Sequence, residues 1–121
     1  MSELYSGLNQ AAQNTQTKSN QFKSSVASLN HHSIKKVSLI FRALNHNLRQ
    51  EMLKFIEKNG NSSVTEIYIQ LRMDQSVASQ HLAILRRAGL LSTNRDGKFI
   101  FYTLNKSKVE MINNMIVNLL K

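Results

Sequence analysis

The spacing of apolar residues changes twice along this chain, and that succession limits the folds it can adopt. Over residues 22–88 the apolar side chains recur every three or four positions, which predicts helices. Over residues 91–103 they alternate, and residues 95–98 (RDGK), with Asp-Gly at their centre, join the two alternating runs, as is typical of a β-hairpin. Helical spacing returns over residues 107–120. With the interruptions described next, the predicted order is four helices, a hairpin and a last helix.

Polar and turn-forming residues delimit the four helices. Residues 45–47 (NHN) end the first helix and residues 59–61 (NGN) end the second. Ser63, with a glutamate three residues later, predicts a capping box at the start of the third helix. Asp74 is the predicted N-cap of the fourth helix, which is expected to end at Gly89.

The chain carries a large excess of positive charge and contains no cysteine. Its 121 residues, the length of one domain, include 16 Lys and Arg against 7 Asp and Glu, a net charge of +9. This excess is spread along the sequence and favours a polyanionic partner. Without cysteine the chain forms no disulfide and no thiolate metal site. It has neither an apolar run of membrane-spanning length nor a secretory signal pattern, so we expect a cytoplasmic protein that does not enter a membrane.

The first 21 residues differ in composition from the rest. Ser, Asn, Gln and Thr dominate residues 1–21, where Leu4, Tyr5 and Leu8 are the sizeable apolar side chains. Such a segment buries too little apolar surface to offset the entropy lost on ordering. We therefore expect residues 1–21 to be flexible or loosely helical, and residues 22–121 to form a folded domain with terminal helices that dimerise.

The third and fourth helices, a tight turn between them and the hairpin that follows have the order of a winged helix-turn-helix. The predicted fold class is α+β, mostly α. Hydrogen-bonding side chains on the fourth helix lie away from its apolar Leu82 and Leu85, which suits insertion into the DNA major groove. An ordinary solvated helix face is the alternative interpretation. The side chains that we expect to read base edges are Gln75, Ser76, Ser79 and Gln80.

Positive side chains flank this predicted reading face. Arg86 and Arg87 end the fourth helix, and we expect both to contact DNA phosphates together with Arg49 and Lys98. Arg95 precedes the predicted hairpin turn and suits the negative potential of a narrow minor groove. The alternative for the hairpin residues is an ordinary charged turn.

Four segments, in order, resemble the ArsR (ArsR/SmtB) family of winged-helix repressors. Residues 43–49 read ALNHNLR where the family has ALADPTR, and residues 74–82 read DQSVASQHL where it has SQSTVSRHL. Residues 85–91, LRRAGLL, resemble LxxAGLV, and residues 97–104, GKFIFYTL, resemble GRWVYYRL. The resemblance covers about residues 34–105 and implies a homodimeric transcriptional regulator, usually a repressor that an effector releases from DNA.

The chain departs from the family at the positions where its metal sensors bind ions. The helix that carries a Cys-x-Cys type motif in those sensors reads VTEIYIQL here, at residues 64–71, and the last helix offers only Glu110 as a ligand. His31 and His32 are adjacent, so on a helix they point about 100° apart and do not chelate one ion in simple geometry. We predict no metal and no cofactor. The resemblance gives His81 a structural role or a hydrogen bond to a phosphate.

The last predicted helix is apolar around more than half of its circumference, which indicates a second buried surface besides the core. A homodimer accounts for that surface, because two recognition helices one DNA turn apart match a palindromic site. A well-buried terminal helix in a monomer is the alternative. The residues expected at the dimer interface come from both ends of the domain: Phe22, Val26, Leu29, Met111, Met115, Leu119 and Leu120.

These features predict a sequence-specific DNA-binding transcriptional regulator, a dimeric repressor of the ArsR type without the family's cysteine metal site. Its expected partner is double-stranded DNA with an inverted-repeat operator. The alternative function is a winged-helix protein-interaction module that binds no specific DNA. The sequence shows no Ser/His/Asp set, paired carboxylates or Gly-rich phosphate loop at usable spacing, so it favours no enzymatic activity.

Overall fold

The computed structural model describes residues 25–121, so the polar segment 1–21 and Phe22 lie outside the described residues. In the described range a short 3-10 turn, Val26–Ser28, precedes five α-helices and three strands. The predicted order of four helices, a hairpin and a last helix is confirmed. The elements are α1 (His31–Leu44), α2 (Asn47–Asn59), β1 (Ser62–Ser63), α3 (Val64–Gln70), α4 (Gln75–Arg87), β2 (Leu91–Asp96), β3 (Phe99–Leu104) and α5 (Lys106–Leu119).

Helix α1 begins later than the apolar spacing predicts. The Asn30 side-chain oxygen accepts a hydrogen bond from the Ser33 N–H at 2.9 Å, which is the bonding of an N-cap. Before it, Leu29 is extended with ψ of 130°, and Val26 belongs only to the 3-10 turn. A helix running through Val26 and Leu29 was therefore the wrong prediction. The reason is local, because an asparagine side chain competes with the helix for backbone N–H groups and favours a cap.

The chain divides into two compact units between Lys35 and Lys36, and the sheet belongs to the second unit, residues 36–121. Its three antiparallel strands have the order β1-β3-β2. Strands β2 and β3 pair as far as Asp96 and Phe99, so only Gly97 and Lys98 form the turn. The φ of 64° at Gly97 suits the first position of a type II′ turn. The turn therefore has two residues, where the sequence predicted a connection of four.

The core lies where the helices of the second unit pack against this sheet. Helix α2 contributes side chains at helical spacing, as does α4, so each of these helices presents one face to the core. No helix in the described part of the chain is long and apolar enough to cross a membrane. The buried apolar residues are Ala43, Met52, Ile56, Ile67, Ala78, Leu82, Leu85, Leu90, Leu91, Tyr102 and Ile112.

Candidate nucleic-acid interface

Helix α3 begins with the predicted capping box. The Ser63 hydroxyl accepts from the Glu66 N–H at 3.1 Å, and the Glu66 carboxylate accepts from the Ser63 N–H at 2.8 Å. These two bonds satisfy backbone donors that the first turn of a helix otherwise leaves free. Ser63 is also the residue of β1 that pairs with Phe101 of β3. The start of the helix-turn-helix is thus attached directly to the sheet.

Arg72 forms the tight turn between α3 and α4. Its φ of 55° is left-handed, a conformation that favours glycine. The Arg72 N–H donates to the Ile69 carbonyl at 3.2 Å, and the Met73 N–H donates to the Tyr68 carbonyl at 3.0 Å. This pair of bonds is the Schellman ending of a helix. Asp74 takes the predicted N-cap position of α4, although its side chain makes no capping hydrogen bond.

Helix α4 ends at Gly89, as predicted, with a second Schellman motif. Gly89 has φ of 79°, and its N–H donates to the Arg86 carbonyl at 2.9 Å. The Leu90 N–H donates to the Leu85 carbonyl at 3.0 Å, and Leu90 is fully buried. Both ends of α4 are therefore fixed by backbone geometry.

Burial of one face of α4 sets the direction of the opposite face. Ala78, Leu82 and Leu85 are fully buried in the core. Rotation of the helix about its axis would expose these side chains to water, at a cost of about 1.5–3 kcal/mol for a leucine. The four residues predicted to read bases are all exposed on the other side: Gln75, Ser76, Ser79 and Gln80.

The start of α4 and the tip of the hairpin line one groove of about 220 Å³, which we call the reading groove. The predicted reading residues Gln75 and Ser79 line it together with Lys98, the predicted phosphate contact. Phe99, beside Lys98, also lines the groove and is 47% exposed. The structure thus brings together residues that are about twenty positions apart in sequence.

Two aromatic side chains of β3 support the tip of the hairpin. The rings of Phe99 and Phe101 lie 6.4 Å apart between centroids, and the Lys98 ammonium is 5.7 Å from the Phe99 ring. Contacts of this kind favour one position for a cation on an exposed turn. Sequence reasoning treated Phe99 only as a strand residue. Its position directly after Lys98, the last residue of the predicted connection, was the available signal that it would lie near the tip.

Arg49, a predicted phosphate contact, makes three hydrogen bonds within the protein. Its guanidinium donates to the Ala43 carbonyl at 2.8 Å and to the Arg42 carbonyl at 3.3 Å, at the end of α1. A third bond joins it to the His81 ring at 3.2 Å. The His46 and His81 rings are 4.7 Å apart, and burial, followed by the nearby His46 and Arg49, lowers the pKa of His81. This cluster holds α4 to the junction of α1 and α2.

The other predicted DNA contacts lie on the surface. Arg86 and Arg87 are exposed in the last turn of α4, where positive charge also complements the negative end of the helix dipole. Arg95 and Lys98 are exposed on the hairpin, but Arg95 pairs with Ile100 within the strands and does not lie in the turn. Arg86 is absent from the reading groove, and so are Arg87 and Arg95.

Both ends of the domain carry exposed apolar side chains. Val26 and Leu29 are largely exposed, and on α5 Ile112 is buried in the core while Met115 is 38% exposed. Among the described residues, no cluster of three or more His, Asp or Glu has the arrangement of a metal site. The predicted interface residues of α5 and its end are exposed: Met111, Met115, Leu119 and Leu120.

Comparison with known proteins identifies relatives across this region. The family model of the bacterial regulatory proteins of the arsR family matches residues 46–93. The transcriptional activator HlyU of Vibrio cholerae is 36% identical over 75 residues, which are 62% of this chain and 68% of HlyU. The transcriptional repressor PagR of Bacillus anthracis is 34% identical over 86 residues, which cover 67% of this chain and 86% of PagR.

Solved structures agree with this assignment. The structure of HlyU from Vibrio cholerae matches with a TM-score of 0.59 and 31% identity over 75% of this chain and 97% of HlyU. A homodimeric winged helix-turn-helix DNA-binding domain from Mycobacterium bovis, 20% identical, matches with a TM-score of 0.63 over 82% of this chain and 88% of that domain, a likeness of fold alone. The helix-turn-helix, the hairpin wing and these relatives together show that the chain belongs to the ArsR family of bacterial regulatory proteins.

Proposed function

We propose that this DNA-binding regulator acts as a homodimeric repressor that recognises an inverted-repeat operator. The observation that carries the proposal is the reading groove, in which α4 and the wing present Gln75, Ser79 and Lys98 side by side. A glutamine and a serine offer hydrogen bonds to base edges, while a lysine offers charge to a phosphate. We take repression from PagR and SdpR, which bear the name of repressors, whereas HlyU bears that of an activator.

In this proposal the start of α4 enters the major groove and the wing lies along the adjacent backbone or minor groove. Gln80 and Ser76 extend the reading face, and Arg95 serves the minor groove. Arg86 and Arg87 serve phosphates at the other end of α4. His81 and Arg49 act by holding α4 in position, since their side chains bond to each other. No catalytic step belongs to this function, and a DNA partner implies a cytoplasmic protein.

The exposed apolar side chains of α5 support the homodimer. Met111 is 64% exposed although it lies on a helix whose Ile112 is buried, so α5 has an apolar surface beyond the one that packs on the core. A second copy of the chain would cover this surface and duplicate the reading groove. The matching fold of the homodimeric domain from Mycobacterium bovis is compatible with that assembly.

Selection of bound sequences from random duplex DNA, with the full chain, tests the proposal. We expect an inverted repeat with half-sites about one helical turn apart. If the dimer neutralises about 6–10 phosphates, its affinity falls by about 10³–10⁵ between roughly 50 and 200 mM salt. Recovery of no motif, with weak binding that is lost near physiological salt, would contradict the proposal and favour the protein-interaction module.

Two substitutions then separate the contacts that read bases from the contacts to phosphates. Gln80→Ala is expected to relax the base preference at one operator position, by a factor of roughly 5 to 150 for a loss of about 1–3 kcal/mol. Arg86→Ala is expected to weaken all sequences about equally and to reduce the salt dependence by about one ion. Asn114→Ala, an exposed position on α5, is the matched control and should leave both properties unchanged. Equal losses of affinity for every DNA sequence in both variants would contradict the assignment of a base-reading face on α4.

A further inference from the structure

A second cavity, of about 360 Å³, lies beside the C-terminal half of α4, against α1 and α2. Its apolar walls come from Leu39, Ile84 and Ala88. Ligand pockets of proteins begin at about 300 Å³ and are lined mainly by apolar side chains with a few polar groups that fix the ligand. We call it the arginine cavity, because three arginines also line it: Arg42, Arg49 and Arg87.

The charge of this cavity is uncompensated. No carboxylate lines it, and in the described residues the side chains of Arg42 and Arg87 have neither a hydrogen-bond nor an ion-pair partner. An adjoining cavity shares Leu39, Arg87 and Ala88 with it and adds Lys36 and Lys108, again without an acid. Positive groups placed close together repel one another, so this arrangement favours an anion between them.

The carbonyl groups at the ends of α1 and α4, which meet the cavity, do not bind the side chains of Arg42 and Arg87. Arg49 donates to the last carbonyls of α1, and three of its five N–H groups are already used within the protein. The Schellman motif at Gly89 satisfies the carbonyls of Leu85 and Arg86 in α4. Arg42 and Arg87 therefore keep their donors for a group from outside.

We propose that the arginine cavity binds a small organic carboxylate with an apolar body, of the medium-chain fatty acid type. Guanidinium groups match the planar geometry of a carboxylate and bind it through paired hydrogen bonds. In this arrangement Arg42 and Arg87 hold the carboxylate, and the hydrocarbon chain lies against Leu39, Ile84 and Ala88. Inorganic phosphate fits the charge but leaves the apolar walls uncovered.

Arg87 connects this site to regulation, and that part of the inference rests on the proposed DNA binding. The same guanidinium is predicted to contact a DNA phosphate and lines the arginine cavity. A bound carboxylate would neutralise it and draw it away from the DNA. Ligand and DNA therefore oppose each other, and linkage requires each to weaken the other by the same factor. The carboxylate is thus a candidate effector that releases a repressor from its operator.

Titration of the full-length protein with octanoate, followed by calorimetry and by NMR of alanine and isoleucine methyl groups, tests the site without DNA. We expect saturable binding of one octanoate per protomer, with shifts at Ile84 and Ala88. 1-Octanol, which has the same chain without the charge, should bind at least tenfold more weakly. Arg42→Gln should weaken octanoate by about 10- to 100-fold, as for the loss of a charged hydrogen bond. Arg86→Gln, one residue outside the cavity, is the matched control and should bind octanoate as the wild type does.

The regulatory part is measured on the selected operator at fixed salt. Saturating octanoate is expected to weaken operator binding by about tenfold, and Arg42→Gln should abolish this effect while binding the operator within about threefold of wild type. Absence of saturable octanoate binding overturns the inference, as does equal binding of octanol. Binding that disappears in the dimeric protein also overturns it, because a second copy would then cover the walls. Octanoate binding without any specific DNA binding contradicts only the proposed function.

Discussion

The Arg49 guanidinium lies 3.2 Å from Nδ1 of His81, and this contact decides which ring nitrogen carries the proton in the neutral histidine. An arginine can only donate, so Nδ1 must accept, and the neutral imidazole carries its proton on Nε2. The two residues are 32 positions apart, in α2 and α4. A neutral His81 is consequently part of what fixes the recognition helix.

The first prediction concerns pH. Burial lowers the pKa of His81 below the ordinary value of 6.5, and the nearby His46 and Arg49 lower it further. Between the folded and unfolded pKa values the unfolded chain binds the proton and the folded protein does not, so stability rises with pH. The stability that neutral His81 contributes is fully present above about pH 6.5 and is lost as the pH falls through the folded pKa. We expect a lower Tm at pH 5.5 than at pH 7.5.

Replacement of the histidine isolates its share of this effect. His81→Gln keeps an acceptor for Arg49 and cannot titrate in this range, so its Tm should change less between the two pH values than that of the wild type. His32→Gln, at an exposed position of α1, should follow the wild type. An unchanged pH dependence in His81→Gln would show that another group is responsible.

A second prediction concerns the turn of the helix-turn-helix. Arg72 has φ of 55°, where a residue with a Cβ is disfavoured by about 1–2 kcal/mol. Arg72→Gly removes this strain but increases the entropy of the unfolded chain, so the free energy of unfolding should rise by about 0.5–1 kcal/mol. Urea denaturation measures the change.

Gly89 provides the converse control for that turn. It occupies the same position at the end of α4, with φ of 79°, and an added Cβ would lie 2.6 Å from the movable Lys108 ammonium. Gly89→Ala should therefore lower the free energy of unfolding, by about 1 kcal/mol or more. Arg72→Gly that destabilises the protein would show that the arginine side chain makes a compensating contribution.

The third prediction concerns the capping box. Ser63→Ala removes the acceptor of the Glu66 N–H and should cost about 1 kcal/mol of stability. Glu66→Gln retains an oxygen for the Ser63 N–H and should cost less than Glu66→Ala. Thermal and urea unfolding of the three variants give the comparison. Equal losses for Glu66→Gln and Glu66→Ala would mean that charge, and not the reciprocal bond, is responsible.

The fourth prediction concerns the proposed dimer. Met111→Glu places a charge on the exposed apolar surface of α5 and should shift the protein from dimer to monomer in sedimentation experiments. Ser92→Glu adds the same charge at an exposed position of β2, away from α5, and should leave the dimer intact. Met111→Glu should also abolish cooperative binding to the two half-sites. A Met111→Glu protein that remains dimeric would assign the interface elsewhere.

Local signals predicted most of the fold because the contacts that they describe are local. The Ser63 capping box joins residues three positions apart, and Gly89 ends α4 through bonds to the preceding turn. The same rule misled the prediction at Leu29, where apolar spacing suggested a helix but the Asn30 cap determines its start. Strand β1 was missed, because two serines carry no alternation and pair only with residues about forty positions later.

The sequence predicted which side chains of the site are exposed, but not how these side chains are arranged in space. Periodicity placed Gln75 and Ser79 on the outer face of α4, whereas their position beside Lys98 depends on how the hairpin packs. The bond of Arg49 to His81 is also non-local, since the two residues are 32 positions apart. Neither the arginine cavity nor the reading groove therefore has a signature in the order of residues alone.

The two-residue turn at the wing tip has a consequence for how related proteins can diverge. Arg95 and Ile100 are partners across the hairpin, and side chains alternate between the two faces of a strand. An insertion of one residue in each strand would move this pair to the opposite face, whereas an insertion of two would return it to the original one. Evolution can therefore lengthen or shorten this wing in paired steps while keeping its charged surface, and single-residue changes of length would have to be compensated by a bulge.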